Sequence, residues 1–327
     1  MNIESVNHYL RTSTEPKIVF IHKGDSWYLP YVLYQAKHIN PDSDIVLIGD
    51  GFSYAGIRNE TLDNYQSDDL QNFINNYIHM STNPEKFELF CWLRWFHLLE
   101  YMCRNNVQSV LHLDSDVLLY SSIQDIKETF LDGECSCGLL VPQKEFSSLH
   151  WAASGHVSYW TIDSLAKFCA FSLNSFTDKK YLELYKVKWQ AHITKAEPGG
   201  ICDMTTLYLY WYENQDNIQN LLIAKNGAVF DNGVSDASNY VDDEYVAISG
   251  RKKISFCKRR PYFHSSIDES RRVRAHAIHF QGDAKEYLPK FYTGKYFKGK
   301  MANELPYPLN SVINKASRVI QKLKTYF

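Results

Sequence analysis

The apolar run Lys17–His22 (KIVFIH) leads into turn chemistry at Lys23-Gly24-Asp25-Ser26. A helical stretch over Tyr31–Ile39 stops at Asn40-Pro41, and a second apolar run, Asp44–Gly49 (DIVLIG), closes at Asp50-Gly51. Two continuously apolar strands joined through a helix form a βαβ unit, whose parallel strands need cover on both faces. This confines the chain to the α/β class. A polar stretch over 51–84 precedes a long helix from about Asn83 to Asn105, and Ser109–Leu113 (SVLHL) reads as another buried strand. Shorter strands and helices rich in Trp and Tyr fill 121–248, and Ala277–Phe280 forms a last short strand.

Length and composition exclude several classes. At about 150 residues per domain, 327 residues make two units or one large one. Apolar residues are 45% and charged residues 22%, ordinary globular usage. With 35 basic and 37 acidic residues the whole molecule is no polycation for duplex nucleic acid. Glu88, Arg94 and Glu100 interrupt the long apolar stretch Phe87–Met102, which falls short of the ~20 residues of a membrane span. The first ten residues lack the basic-then-apolar order of a signal peptide, and the seven scattered cysteines read as buried reduced thiols, so a cytoplasmic protein is expected.

The chemistry concentrates at Leu111-His112-Leu113-Asp114-Ser115-Asp116. On extended backbone Asp114 and Asp116 point to one side and offer hard oxygen ligands to one point. Acids at the end of a buried strand call for a cation or an exposed sheet edge, the place where open α/β sheets bind ligands. The alternative is a pair of acids capping the next turn. Two metal chemistries fit. A haloacid-dehalogenase-like phosphatase would use Asp114 as nucleophile, but a whole βαβ unit precedes this motif, where that family places it on the first strand. A GT-A glycosyltransferase would use the acids to hold Mn²⁺ or Mg²⁺ against the diphosphate of a nucleotide sugar.

Ile278-His279-Phe280-Gln281-Gly282-Asp283-Ala284-Lys285 reads I-H-F-x-G-x-x-K. Together with Asp114 and Asp116 it resembles glycosyltransferase family 8, the glycogenin and lipopolysaccharide galactosyltransferase group. The resemblance implies that His279 joins Asp114 and Asp116 as a metal ligand and that Gly282 and Lys285 contact the diphosphate. Arg94, in Trp92-Leu93-Arg94-Trp95, stands where the family has an arginine facing the donor. Ala153-Ser154-Gly155-His156-Val157 resembles the strand that floors the sugar pocket, placing Ser154 and Gly155 there. Gly200–Leu207 puts Asp203 at the family's donor-sugar aspartate, with N-capping of a helix over Met204–Trp211 as its other role, and puts Met204 in place of a glutamine. Arg94 and Asp203 are thus the candidate catalytic pair. The first strand and its turn, with His22, Gly24 and Asp25, stand where the family binds base and ribose, and Ser115 lies within the acidic motif.

The resemblance implies a GT-A-type, Rossmann-like and mostly parallel central sheet flanked by helices. It further implies hexose transfer from UDP-glucose or UDP-galactose to a glycan or glycolipid acceptor, with retention of configuration, in polysaccharide biosynthesis. The division expected is a leader over 1–16, a catalytic domain over 17–285 with a nucleotide-sugar half (17–120) and an acceptor half (121–285), and a basic tail over 286–327. From 284 onward the chain carries a net +7 and the remainder −9. Asn310–Phe327 patterns as a basic amphipathic helix, suited to peripheral contact with the inner face of a membrane. The alternatives are the metal-dependent phosphatase and a catalytically silent sugar-nucleotide-binding protein.

Overall fold

The computed structural model describes residues 15–51, 53–131, 135–268 and 270–294. The leader up to 14 and the tail from 295, including Asn310–Phe327, lie outside the described residues. The βαβ unit is present as β1 (Lys17–His22), α1 (Leu29–Ile39) and β2 (Ile45–Gly49). β1 and β2 pair in parallel, from Ile18 opposite Ile45 to His22 opposite Gly49. Pro30 in the first turn, where no intrahelical donor is needed, starts α1 earlier than its apolar spacing suggests.

The polar stretch after β2 is structured. It supplies β3 (Arg58–Thr61), parallel to β2, and α2 (Asp68–Asn76), whose N-cap Ser67 accepts from Leu70 N. α3 (Glu85–Arg104) leads into β4 (Ser109–Leu113), parallel to β1. β5 (Val117–Leu119), α4 (Ile123–Thr129), β6 (Cys137–Leu140), β7 (Ser154–Thr161), α5 (Ile162–Ser175), α6 (Lys179–Lys195) and α7 (Asp203–Glu213) follow. Then come β8 (Ile218–Asn220), β9 (Ala228–Phe230), a small ladder of β10 (Ala247–Ile248) with β11 (Arg251–Lys252), β12 (Ile254–Cys257), β13 (Arg260–His264), β14 (Arg272–His279) and α8 (Leu288–Phe291). The last long strand is therefore twice the length its apolar core suggested, because Arg272 and Arg274 extend the ladder to β13.

The central sheet runs β3-β2-β1-β4-β7-β6-β8. β7 is antiparallel to both neighbours and every other pairing is parallel, so the sheet is the mostly parallel, helix-flanked α/β layer expected. Alternate residues of β1 face opposite sides. Ile18 and Phe20 pack with Leu33 of α1 and Ile278 of β14, whereas Val19 and Ile21 pack with Trp95 and Phe96 of α3. Most of the aromatic-rich middle is core: Trp151, Trp160 and Tyr208 are buried. A second sheet runs β12-β13-β14-β5, with β9 beside β14. Only Asp114-Ser115-Asp116 separates β4 in the first sheet from β5 in the second. The acidic turn is the step between sheets. No helix among the described residues is long and apolar enough to cross a membrane.

Candidate functional site

Asp114 is anchored by its backbone, whose N–H donates to His156 O (2.8 Å), while Val117 N donates to Asp114 O (3.1 Å) and closes the turn around Ser115. The antiparallel pairing of β14 on β5 puts His279 opposite Val117, and Phe280 N donates to Asp116 O at 2.9 Å. The topology thus brings both acids and His279 to one place. His279 Nε2 lies 3.4 Å from Asp116 Oδ1, and Lys285 Nζ pairs with Asp116 Oδ2 at 2.7 Å. Burial raises the Asp116 carboxyl, but His279 and Lys285 outweigh it and hold the group below the usual carboxylate range. The same contact works in reverse on His279: burial lowers the imidazole, and Asp116 raises it more.

Arg94, projecting from α3, ties the other acid to the candidate sugar-binding residue. Its Nη1 donates to Asp114 Oδ1 (2.6 Å) and its Nη2 to Asp203 Oδ2 (2.7 Å). Asp203 is buried in the first turn of α7. Cys202, not Asp203, is the N-cap, and the Asp203 side chain instead accepts from Arg94 and from Trp95 Nε1 (3.1 Å). Burial pushes the Asp114 carboxyl up, and the opposing pull of Arg94 leaves it lowered. His112 is itself held neutral, pushed down to about 4 by burial, and its Nδ1–H donates to Gly155 O (3.0 Å).

The remaining expected residues border this centre. His22 ends β1; burial lowers its imidazole against the pull of Asp50, Asp116, Asp114 and Asp25, and its buried Nε2 has no protein partner. Gly24 turns the chain at φ 91° and donates its N–H to Asp50 Oδ2 (2.6 Å), with Asp25 on the same turn. Ser154 Oγ–H donates to His156 Nδ1 (2.6 Å). Gly155 makes room for Trp95: a Cβ there would lie 2.4 Å from the indole. Gly282 has φ 56° and open space where a side chain would be. Met204 is 38% exposed beside buried Asp203.

Among the described residues no group of three or more His, Cys, Asp and Glu is gathered to hold a metal ion. The physical reason is that Asp114 is turned to Arg94 and Asp116 to Lys285. The donor chemistry nonetheless suits a divalent ion: Asp116 Oδ1 and His279 Nε2 are close enough to share one, and two carboxylates with one imidazole match Mn²⁺ or Mg²⁺.

Sequence reasoning gave no role to the residues behind His279. Its ring stacks on His156 at 3.8 Å and 23°, and its backbone N–H donates to Asp231 Oδ2 (3.1 Å). Asp231 is in turn paired with Lys252 at 3.0 Å, both fully buried. Lys252 was indistinguishable in sequence from the exposed cations around it.

No family model matches the chain, and no curated protein matches it. Solved structures similar to it include the apo form of mouse xyloside xylosyltransferase 1, at TM-score 0.45 and 8% identity over 64% of this chain and 85% of that one. The apo WbbM bifunctional glycosyltransferase matches at TM-score 0.44 and 9% identity over 90% of this chain and 52% of that one, so this chain spans about half its length. The PaToxG glycosyltransferase matches at TM-score 0.35 and 12% identity over 64% and 75%. At these scores the likeness is one of outline. What the centre can do rests on its own residues.

Proposed function

We propose that the chain is a metal-dependent glycosyltransferase that moves a hexose from a UDP-linked donor to a glycan or glycolipid acceptor. The observation that supports it is the convergence of Asp114, Asp116, His279 and Lys285 at the step between two sheets, with Arg94 binding Asp114 to buried Asp203. Asp114, Asp116 and His279 would hold Mn²⁺ or Mg²⁺, which when bound neutralises charge on the departing diphosphate. Lys285 then exchanges Asp116 for the diphosphate, and the open backbone at Gly282 lets phosphate approach. The turn after β1, with the vacant nitrogen of His22, receives the nucleoside. Arg94 orients the sugar through Asp203.

The family resemblance implies retention of the donor's α configuration, and the commitment of the acids nearest the centre supports it. Asp114, Asp116 and Asp203 are all paired, and Asp231 is buried against Lys252 and cannot serve as a base on the far side of the sugar. A same-side route lets the departing diphosphate take the acceptor's proton, with Lys285 steadying its charge. Proton NMR of the product from a UDP-α-hexose is expected to show an α-anomeric coupling; a β coupling overturns the assignment. The basic tail would bring the enzyme to a lipid-linked acceptor. Truncation after Pro308 is then expected to abolish pelleting with anionic vesicles.

The deciding experiment is a thermal-shift screen of nucleoside-diphosphate sugars with and without Mn²⁺. A ligand at a hundredfold excess over its Kd stabilises the fold by about 2.7 kcal/mol. UDP-hexoses are expected to raise the Tm only with the metal, and Asp116→Asn is expected to remove the shift. Release of phosphate from a sugar phosphate without any nucleotide would instead establish the phosphatase.

A further inference from the structure

His279 is gripped at three points by one short segment. Its backbone N–H donates to Asp231 Oδ2 (3.1 Å), its Nδ1–H to Asn232 O (3.2 Å), and its carbonyl accepts from Val234 N (3.0 Å). The Asp231 carbonyl also accepts from His156 Nε2 (2.8 Å), fixing the imidazole that stacks on the His279 ring. The segment is itself pinned by Lys252. Its ammonium donates to Gly233 O (2.6 Å) and Ser238 O (2.8 Å) and lies 3.0 Å from Asp231 Oδ1 as an ion pair, and its backbone N–H donates to Val234 O (2.9 Å).

Two fully buried opposite charges are costly to desolvate, and replacing such a pair by neutral residues is often neutral for stability. When the ring is neutral, an Nδ1–H spent on Asn232 O leaves the lone pair on Nε2, the nitrogen that faces Asp116. Partners of this kind set the tautomer and direction of metal-binding histidines.

We infer that Asp231, locked by Lys252, is a positioning residue that holds His279 as its Nδ1–H tautomer with Nε2 presented to a divalent cation shared with Asp116. This rests on the metal site proposed above. Two double variants remove the buried charges together and so spare the fold an unpaired ion. Asp231→Asn with Lys252→Met keeps an oxygen for the His279 N–H, and Asp231→Ala with Lys252→Met does not.

Mn²⁺ affinity, read from the electron paramagnetic resonance of the free ion, is expected to stay within about threefold of wild type in the first. It is expected to weaken by about 10- to 100-fold in the second. Wild-type affinity in the Ala/Met protein overturns the inference. Long-range ¹⁵N–¹H spectra of the wild-type chain supply a measurement independent of any variant's folding: the neutral His279 ring is expected to carry its proton on Nδ1. A proton on Nε2 overturns it equally. A wild-type protein that binds no Mn²⁺ sinks the metal reading and with it the presentation of Nε2 to a cation, even where the ring is the Nδ1–H tautomer.

Discussion

Arg94 reaches 20 residues along the chain to Asp114 and 109 to Asp203, holding both carboxylates with separate guanidinium nitrogens. A lysine ammonium lacks the planar fork needed for this. Arg94→Met leaves two partly or fully buried acids without a cation, and losing one partner of a buried pair costs about 3–5 kcal/mol. Urea unfolding of Arg94→Met is expected to show a loss of that size, and Arg94→Lys a smaller one. Gly155→Ala would drive a methyl into the Trp95 indole that donates to Asp203. Overpacking of this kind costs about 1–3 kcal/mol, so a drop in Tm accompanied by weakened donor binding is expected. His276 titrates in the opposite sense to His279. Burial pushes it down to about 3, with Arg274 and Arg260 adding to the effect, while its Nδ1 is hydrogen-bonded to Ser121 Oγ (2.7 Å). The unfolded chain binds that proton near the ordinary value of 6.5, so the stability is fully present above it and is lost as pH falls towards the folded value. His276→Asn keeps a polar partner for Ser121 and is expected to flatten the acid limb by up to about 1.4 kcal/mol per pH unit. Unchanged slopes in urea titrations between neutral pH and pH 5 would count against it.

At the scale of elements, α6 shows how local signals and tertiary demands combine. Asp178 caps it by accepting from Lys180 N (2.7 Å), and it ends on Ala196 in the left-handed region at φ 52°. An L side chain there is strained by roughly 1–2 kcal/mol, so Ala196→Gly is expected to raise the Tm, net of the entropy glycine adds to the unfolded chain. The strand KIVFIH, the helix stopped by Asn40-Pro41 and SVLHL were legible because each is governed by short-range pattern and breaker residues. β3 (RNET) was not, since it has almost no apolar content and is a strand because β2 offers it a ladder. The same limit governs the site. Asp114, Asp116, His279 and Lys285 carry a recognisable spacing, whereas Asp231 and Lys252 find each other only through the packing of the loop after β9. Nothing within a few residues of either marks the pairing. Arg94 and Asp203 were legible as separate residues; their direct link through one guanidinium was not.

Taken as a whole, the molecule shares one sheet between two apolar clusters, each lining one face of β1. Neither cluster can melt without stripping cover from strands the other needs, so unfolding is expected to be a single cooperative transition. Trp92, Trp95, Trp151 and Trp160 all lie in one cluster, whereas Trp27 packs on Tyr28 and Tyr31 at the other, so tryptophan fluorescence is weighted to the first side and far-ultraviolet circular dichroism reports the whole. Coincident urea midpoints are expected, and a fluorescence midpoint displaced from the dichroism midpoint would show that the clusters melt separately. The step between the two sheets has a consequence for a chain still being synthesised. β5 is made early, but its antiparallel partner β14 arrives some 150 residues later, and with it His279 and Lys285. Until the ribosome has released that strand, Asp116 has neither of its cations and β5 has an open edge. A chain stalled before β14 is therefore expected to be the aggregation-prone species, because the centre exists only once that strand has joined β5.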